Sequence, residues 1–284
     1  MLNVIKMELH RLFRSKSLYV TAAVCAGVII LLVMLTAALM DITADVSPSD
    51  MTVSMGDASA GMSVSVSDAE AMPGSINPVS FCISFIRGLC AIFVVIFTAI
   101  FVNGFYKDGY SKNVIACVRN RWYFQVAKTV CVAVYCAIIL AVSSVVSVVM
   151  AAVSVPSFRL EYMGVFFLFL LGEFFLLNAI GLLSAFLTEL TYSKVTAIVY
   201  ILLASTNLII GLLSLLESKL SEIFHTNVEL WKLLPSLYDS SFALNAPDTT
   251  GNAGMLTHAV LLSLVFIAIY NAAGAWLITK RDVR

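Results

Sequence analysis

Six apolar stretches, each long enough to be a membrane span, constrain this chain more than any other feature. They run near 18–40, 81–103, 129–153, 163–187, 195–216 and 257–279. A helix of about 20 residues crosses a hydrocarbon core about 30 Å thick, and each stretch reaches that length. Lipid offers backbone amides and carbonyls no partners, so each segment must satisfy its own hydrogen bonds as a helix. The alternating apolar and polar decamers of a membrane barrel are absent. Composition agrees: of 284 residues, 61% are hydrophobic and 12% charged, with a mean hydropathy of +0.98. A soluble domain is nearer half apolar and about a quarter charged. The expected fold is an all-α integral membrane protein, one polytopic domain over 1–284 with six transmembrane helices.

Six spans put both ends of the chain on one side, and the basic residues choose that side. With the N-terminus inside, 13 of the 17 Lys and Arg are cytoplasmic: Lys6, Arg11, Arg14, Lys16, five in 104–128, Lys194, Lys280, Arg281 and Arg284. Arg159, Lys219 and Lys232 fall outside, and Arg87 lies within a span. Positive residues near short loops stay inside, which gives N-in, C-in.

Residues 1–17 read as an interfacial amphipathic helix. Leu2, Ile5, Leu9 and Leu12 recur at steps of three and four, with Lys6, Glu8, Arg11 and Arg14 elsewhere on the wheel. Such a helix lies in the inner interface with its cations toward anionic headgroups. A cleaved signal peptide fits poorly, because the following apolar run is about twice as long as a signal h-region. Residues 41–80 carry six acids and no Lys or Arg, with much Ser, Gly and Ala. They predict a flexible acidic outer loop without a core of its own. Its Met51, Met55, Met62 and Met72 are soft donors, but their spacing is irregular and no His or Cys accompanies them, so no metal site is expected. Residues 217–256 differ. Leu220, Ile223, Phe224, Leu233, Leu234 and Leu237 form an apolar helical face broken by Pro235, which predicts outer re-entrant or interfacial helices anchored by Trp231 and Tyr238. The stretch 246–254 is turn-rich.

Charge concentrates in the segment 104–128, where Lys107, Lys112, Arg119, Arg121 and Lys128 face a single acid, Asp108. Arg119 and Arg121 offer fork-shaped donors to acids on a partner. Trp122, Tyr123 and Phe124 offer anchors for its pocket. The plain alternative is that these cations set topology and bind lipid headgroups. A second, shorter inner contact point holds Thr188, Glu189, Tyr192, Ser193 and Lys194. Inside the spans, Arg87 lies within snorkelling reach of the outer surface, and Glu173 lies close to the midplane. An acid at that depth faces the bundle interior or water. Arg87, Glu173 and Asn178 are therefore the substrate-path candidates. An ion pair between Arg87 and Glu173, or a hydrogen-bonded structural Glu173, are both open.

Several chemistries find no support. No phosphate-cradling GxxxxGK[ST] occurs, so ATP, if used, is bound by another polypeptide. His10, His225 and His258 stand apart, and no HExxH is present. The six cysteines lie in spans or the 104–128 segment and read as small buried hydrophobes. No catalytic, cofactor or metal residues are expected, no nucleic acid as a partner, and no enzyme of any kind.

The layout resembles the small permease subunits of bacterial type-2 ABC exporters, including those of the bacitracin and lantibiotic type. An inner amphipathic helix, six spans, a basic loop after the second span and an outer helical insertion before the last all resemble that family. In the loop, Asp108, Gly109, Lys112, Asn113, Arg121 and Lys128 resemble its pattern, while Cys117-Val118-Arg119 departs from the Gly or Pro it often shows there. The resemblance implies a coupling loop at 104–128 that docks a separate ABC ATPase through Asp108, Gly109, Lys112, Asn113, Arg121 and Lys128, and the charge and aromatic character of Arg119, Trp122 and Glu189 add them to the expected docking set. It also implies a second permease copy or a paralogue, a bacterial cytoplasmic membrane, and export of a peptide antibiotic, drug or lipid-like substrate. The competing reading is a non-transporting sensor or assembly module that signals through the same loop.

Overall fold

The structure is a computed structural model of the chain, and it describes residues 2–44, 78–107, 122–154, 163–205, 217, 230–242 and 249–280. Every regular element among them is helical. In order they are α1 (Leu2–Arg14), α2 (Lys16–Ala44), α3 (Pro78–Ile86), α4 (Leu89–Lys107), α5 (Trp122–Ser154), α6 (Met163–Thr191) and α7 (Lys194–Ser205). A 3-10 turn (Leu230–Leu233), α8 (Pro235–Ser241) and α9 (Thr249–Lys280) follow.

Five helices are long and apolar enough to cross a membrane, within α2, α3–α4, α5, α6 and α9. The sixth expected span begins as α7, and its remainder, 206–216, lies outside the described residues. The expected outer loop at 41–80 loses both ends to helix, since α2 runs to Ala44 and α3 starts at Pro78; the stretch between lies outside the described residues. The turn-rich reading of 246–254 also gives way. Helix α9 begins at Thr249, because Asn252 is buried against the bundle, and tertiary packing overrides the weak helix propensity of TTGNAG. Pro235 does end the preceding run. It opens α8 at the first helical positions, after Leu234 in extended conformation (φ −106°, ψ 121°), where a missing N–H costs nothing.

Helices α4 and α6 form the centre. Of their span windows 61% is buried, against 17% for α9 and 28% for α2. Helix α6 packs on α3, α4, α5, α7, α8 and α9, and α2 packs on α4 and α5. Leu31 and Met34 of α2, Val145 and Val149 of α5, and Leu261 and Val265 of α9 are exposed, as a surface turned to hydrocarbon requires. Since lipid is as apolar as leucine, packing and interhelical hydrogen bonds must hold the bundle. Tyr135 Oη donates to Thr21 Oγ1 at 3.0 Å, tying α5 to α2. Ser184 Oγ donates to the Val95 carbonyl at 3.1 Å, tying α6 to α4. Thr129 bonds Asn271, tying α5 to α9.

Two local features position the functional groups. The second span is broken at Arg87-Gly88, where Gly88 takes φ +73°, a region that costs other residues about 1–2 kcal/mol. The break separates α3 from α4 and leaves the Gly88 amide to bond Asp239. The second feature is α1. Its charges do not all point to headgroups: Glu8 and Leu12 are buried against the bundle, whereas Met7 and Phe13 are exposed. The amphipathic reading therefore has the helix rotated. Arg11 has a specific partner in the bundle, which outweighs burying Phe13.

Candidate functional site

Two clusters of buried polar groups lie along α6, one at its C-terminal end and one around Glu173, nearer its middle. The first, at the end that carries α1, is built from four helices. Lys128 of α5 donates to Glu189 of α6, and also to Tyr106 Oη of α4 at 3.3 Å. Its ammonium sits 4.2 Å from the Phe124 ring centroid and 5.2 Å from those of Phe105 and Tyr106. Phe105 and Phe124 stack at 4.2 Å, closing α4 onto α5. From α1, Arg11 donates to the Phe101 carbonyl at 2.9 Å and to Glu8 Oε2 at 3.3 Å, with its guanidinium 4.5 Å from the Phe101 centroid. A charge this deep is tolerated because carboxylate, phenol and three π faces replace its water.

This geometry corrects part of the docking surface read from sequence. Lys128 and Glu189 are 2% and 1% exposed and are paired with each other. Neither presents an exposed side chain; they lock the start of α5 to the end of α6. Trp122, by contrast, is exposed at the first turn of α5, and Tyr123 beside it is also accessible. Asp108, Gly109, Lys112, Asn113, Arg119 and Arg121 lie outside the described residues, and helix takes both flanks of the 104–128 segment.

The second cluster lies where the second span breaks. Glu173 of α6 is fully buried, and Asp239 of α8 is 1% exposed. The two carboxyls face each other, with Arg87 within electrostatic reach of both. Among the described residues Arg87 makes no direct ion pair with either. The Gly88 amide bonds Asp239. Neither oxygen of Glu173, nor Oδ1 of Asp239, finds a hydrogen-bond partner among the described residues. Burial pushes the Asp239 carboxyl up to about 6, opposed by Glu173, Arg87 and the Gly88 amide. Helix α8 is held there by shape. Phe242 stacks on Phe169 at 5.5 Å and fills the space over Gly172, where a Cβ would meet its ring at 2.5 Å. Tyr200 and Ser236 hydrogen-bond at 2.7 Å, and the Tyr238 ring lies 4.9 Å from that of His258.

Arg87 and Glu173 thus share one site. Asn178 does not join them. Five residues carry it about 140° around the helix from Glu173, and its amide donates back to the Phe174 carbonyl at 2.8 Å. Asp239 was not among the sequence candidates. Its signal was present, as an acid within the apolar run LLPSLYDSSF just after a proline, but the periodicity of that segment had been assigned to the interface. Between the clusters, Ser143 of α5 bridges the thiols of Cys25 and Cys90 at 3.5 and 3.3 Å. All five described cysteines are buried and unbridged, as expected.

No protein-family model matches the chain, and no curated protein matches it.

Proposed function

We propose that the chain is the membrane-spanning permease subunit of an ATP-driven exporter in a bacterial cytoplasmic membrane, without enzymatic activity of its own. In this reading it has six spans with both termini inside. A separate ABC ATPase docks on the loop between α4 and α5, and a second permease copy or paralogue completes the pathway. The single observation that carries the reading is the cross-braced footing of that loop. Both helices that flank it are fastened together and to the rest of the bundle by the Phe105–Phe124 stack and the Lys128–Glu189–Tyr106 group. Arg11 fastens α1 to α4 beside them. A push on such a loop moves α1, α4, α5 and α6 together, as a motor-driven transducer needs and a passive topology signal does not.

Support also comes from charge. Thirteen of seventeen cations fall on one side in the six-span layout, and positive residues are held inside. Trp122 offers an exposed aromatic anchor at the rim of the loop. The test is co-purification with the ATPase. Reversing charge with Arg119→Glu and Arg121→Glu should abolish the complex while the permease still inserts. A complex recovered at normal yield would refute docking through this loop and favour a sensor or assembly role.

A further inference from the structure

We infer that Glu173 and Asp239 form a proton-binding site, in which the two carboxyls hold one exchangeable proton between them beside Arg87. Among the described residues three carboxylate oxygens are buried without a hydrogen-bond partner, and buried acceptors are almost always satisfied. An ionised carboxyl can only accept, whereas a protonated one donates. One proton placed between Glu173 and Asp239 converts two of the orphaned acceptors into a donor–acceptor pair. Charge gives the same answer. Two buried carboxylates and one half-buried guanidinium leave a net charge of −1 at the site, and one proton makes the group neutral. Two carboxyls sharing a site cannot both ionise cheaply. Burial raises the Asp239 carboxyl to about 6.

A proton fits better than a metal ion. Alkali and alkaline-earth cations ask for about six or more oxygen ligands, whereas two carboxyls on two elements supply four oxygens. Among the described residues no group of three metal-ligating side chains exists. Other titratable groups lie nearby among the described residues. Helix α4 contributes Cys90; α3 contributes Cys82, bonded to Ser147 of α5; and α7 contributes Tyr200, bonded to Ser236. Helix α8 adds Tyr238, which faces His258 of α9 and feels Lys232.

The site is divided between two elements. Glu173 belongs to a central span, and Asp239 to a seven-residue helix seated by Phe242 over Gly172, by the Tyr200–Ser236 hydrogen bond and by Tyr238 against His258. Displacing α8 separates the carboxyls and admits water, and both can then ionise. Proton release and opening at this end of the bundle are therefore one event.

Infrared difference spectroscopy of the purified full chain in lipid nanodiscs tests this without a substrate or an ATPase, so it stands or falls separately from the exporter reading. At pH 7 the wild type should show a protonated-carboxyl carbonyl band that shifts in heavy water. Glu173→Gln should remove it and Asp239→Asn should shift or weaken it. Sodium at fixed pH should leave it unchanged. A wild-type spectrum without that band at pH 7 overturns the proposal, and needs no variant to fold. So does a band untouched by both substitutions, or one that sodium abolishes, which would assign the site to a metal cation.

Discussion

Glu189 stands sixteen residues beyond Glu173 on α6, about 24 Å along the axis, and the two buried acids are treated differently. Glu189 has a full cation against it, whereas Glu173 has a second acid and a guanidinium within electrostatic reach but not paired to it. The difference sets their expected responses. Removing one member of a buried pair strands the other charge and costs about 3–5 kcal/mol, while an apolar pair of similar volume is near neutral. Lys128→Met and Glu189→Leu should each lower the midpoint of thermal unfolding in detergent, and the double variant should recover most of the loss. A double variant as unstable as the two losses combined would mean that the residues do not act as a pair. Asp239 has its own pH signature. Its folded-state value is raised from 3.8 to about 6, so the folded chain binds more protons than the unfolded chain between those values. Stability should fall as pH climbs through that window, with the penalty absent below it and complete above it. Asp239→Asn should flatten the slope between about pH 4 and about pH 7 in melting curves; an unchanged slope would place its cause elsewhere.

At the scale of elements, α8 and the broken second span meet through small contacts with large leverage. Gly172 exists to admit Phe242. Gly172→Leu overpacks that seam at a typical cost of about 1–3 kcal/mol, and α8 is the element free to yield. Labelling of a cysteine placed at Ser236, which is buried in α8, should then accelerate about tenfold or more. An unchanged rate would show that the bundle, not α8, absorbs the strain. The elements also show what sequence could deliver. Spans were legible because hydropathy accumulates over about 20 residues and needs no knowledge of neighbours. The break at Arg87-Gly88 was not, because an Arg-Gly pair inside an apolar run reads equally as a snorkelling cation in a continuous helix. The wheel of α1 gave its periodicity but not its rotation, since Arg11 chose the Phe101 carbonyl over a headgroup. Asp239 escaped because a seven-residue helix is too short for periodicity to orient it.

For the whole molecule, the central idea is a lipid-embedded transducer whose handle lies in the cytoplasm, worked by a separate motor. The proposed function rests, in the sequence, on layout and charge, which do not say which cations are free to meet a partner. The buried Lys128–Glu189 pair shows why: a cation counted from sequence as part of a docking surface is, in three dimensions, a brace beneath it. The chain carries its own probe of the handle's location. Cys25, Cys82, Cys90, Cys131 and Cys136 are buried, which leaves Cys117 in the segment between α4 and α5. Intact cells should be treated with a membrane-impermeant maleimide, with Cys117→Ser as the control. The account predicts no Cys117 labelling until the cells are opened, and rapid labelling of that residue afterward. Rapid labelling of Cys117 in sealed cells would put the handle in the medium, beyond the reach of ATP, and would contradict the account.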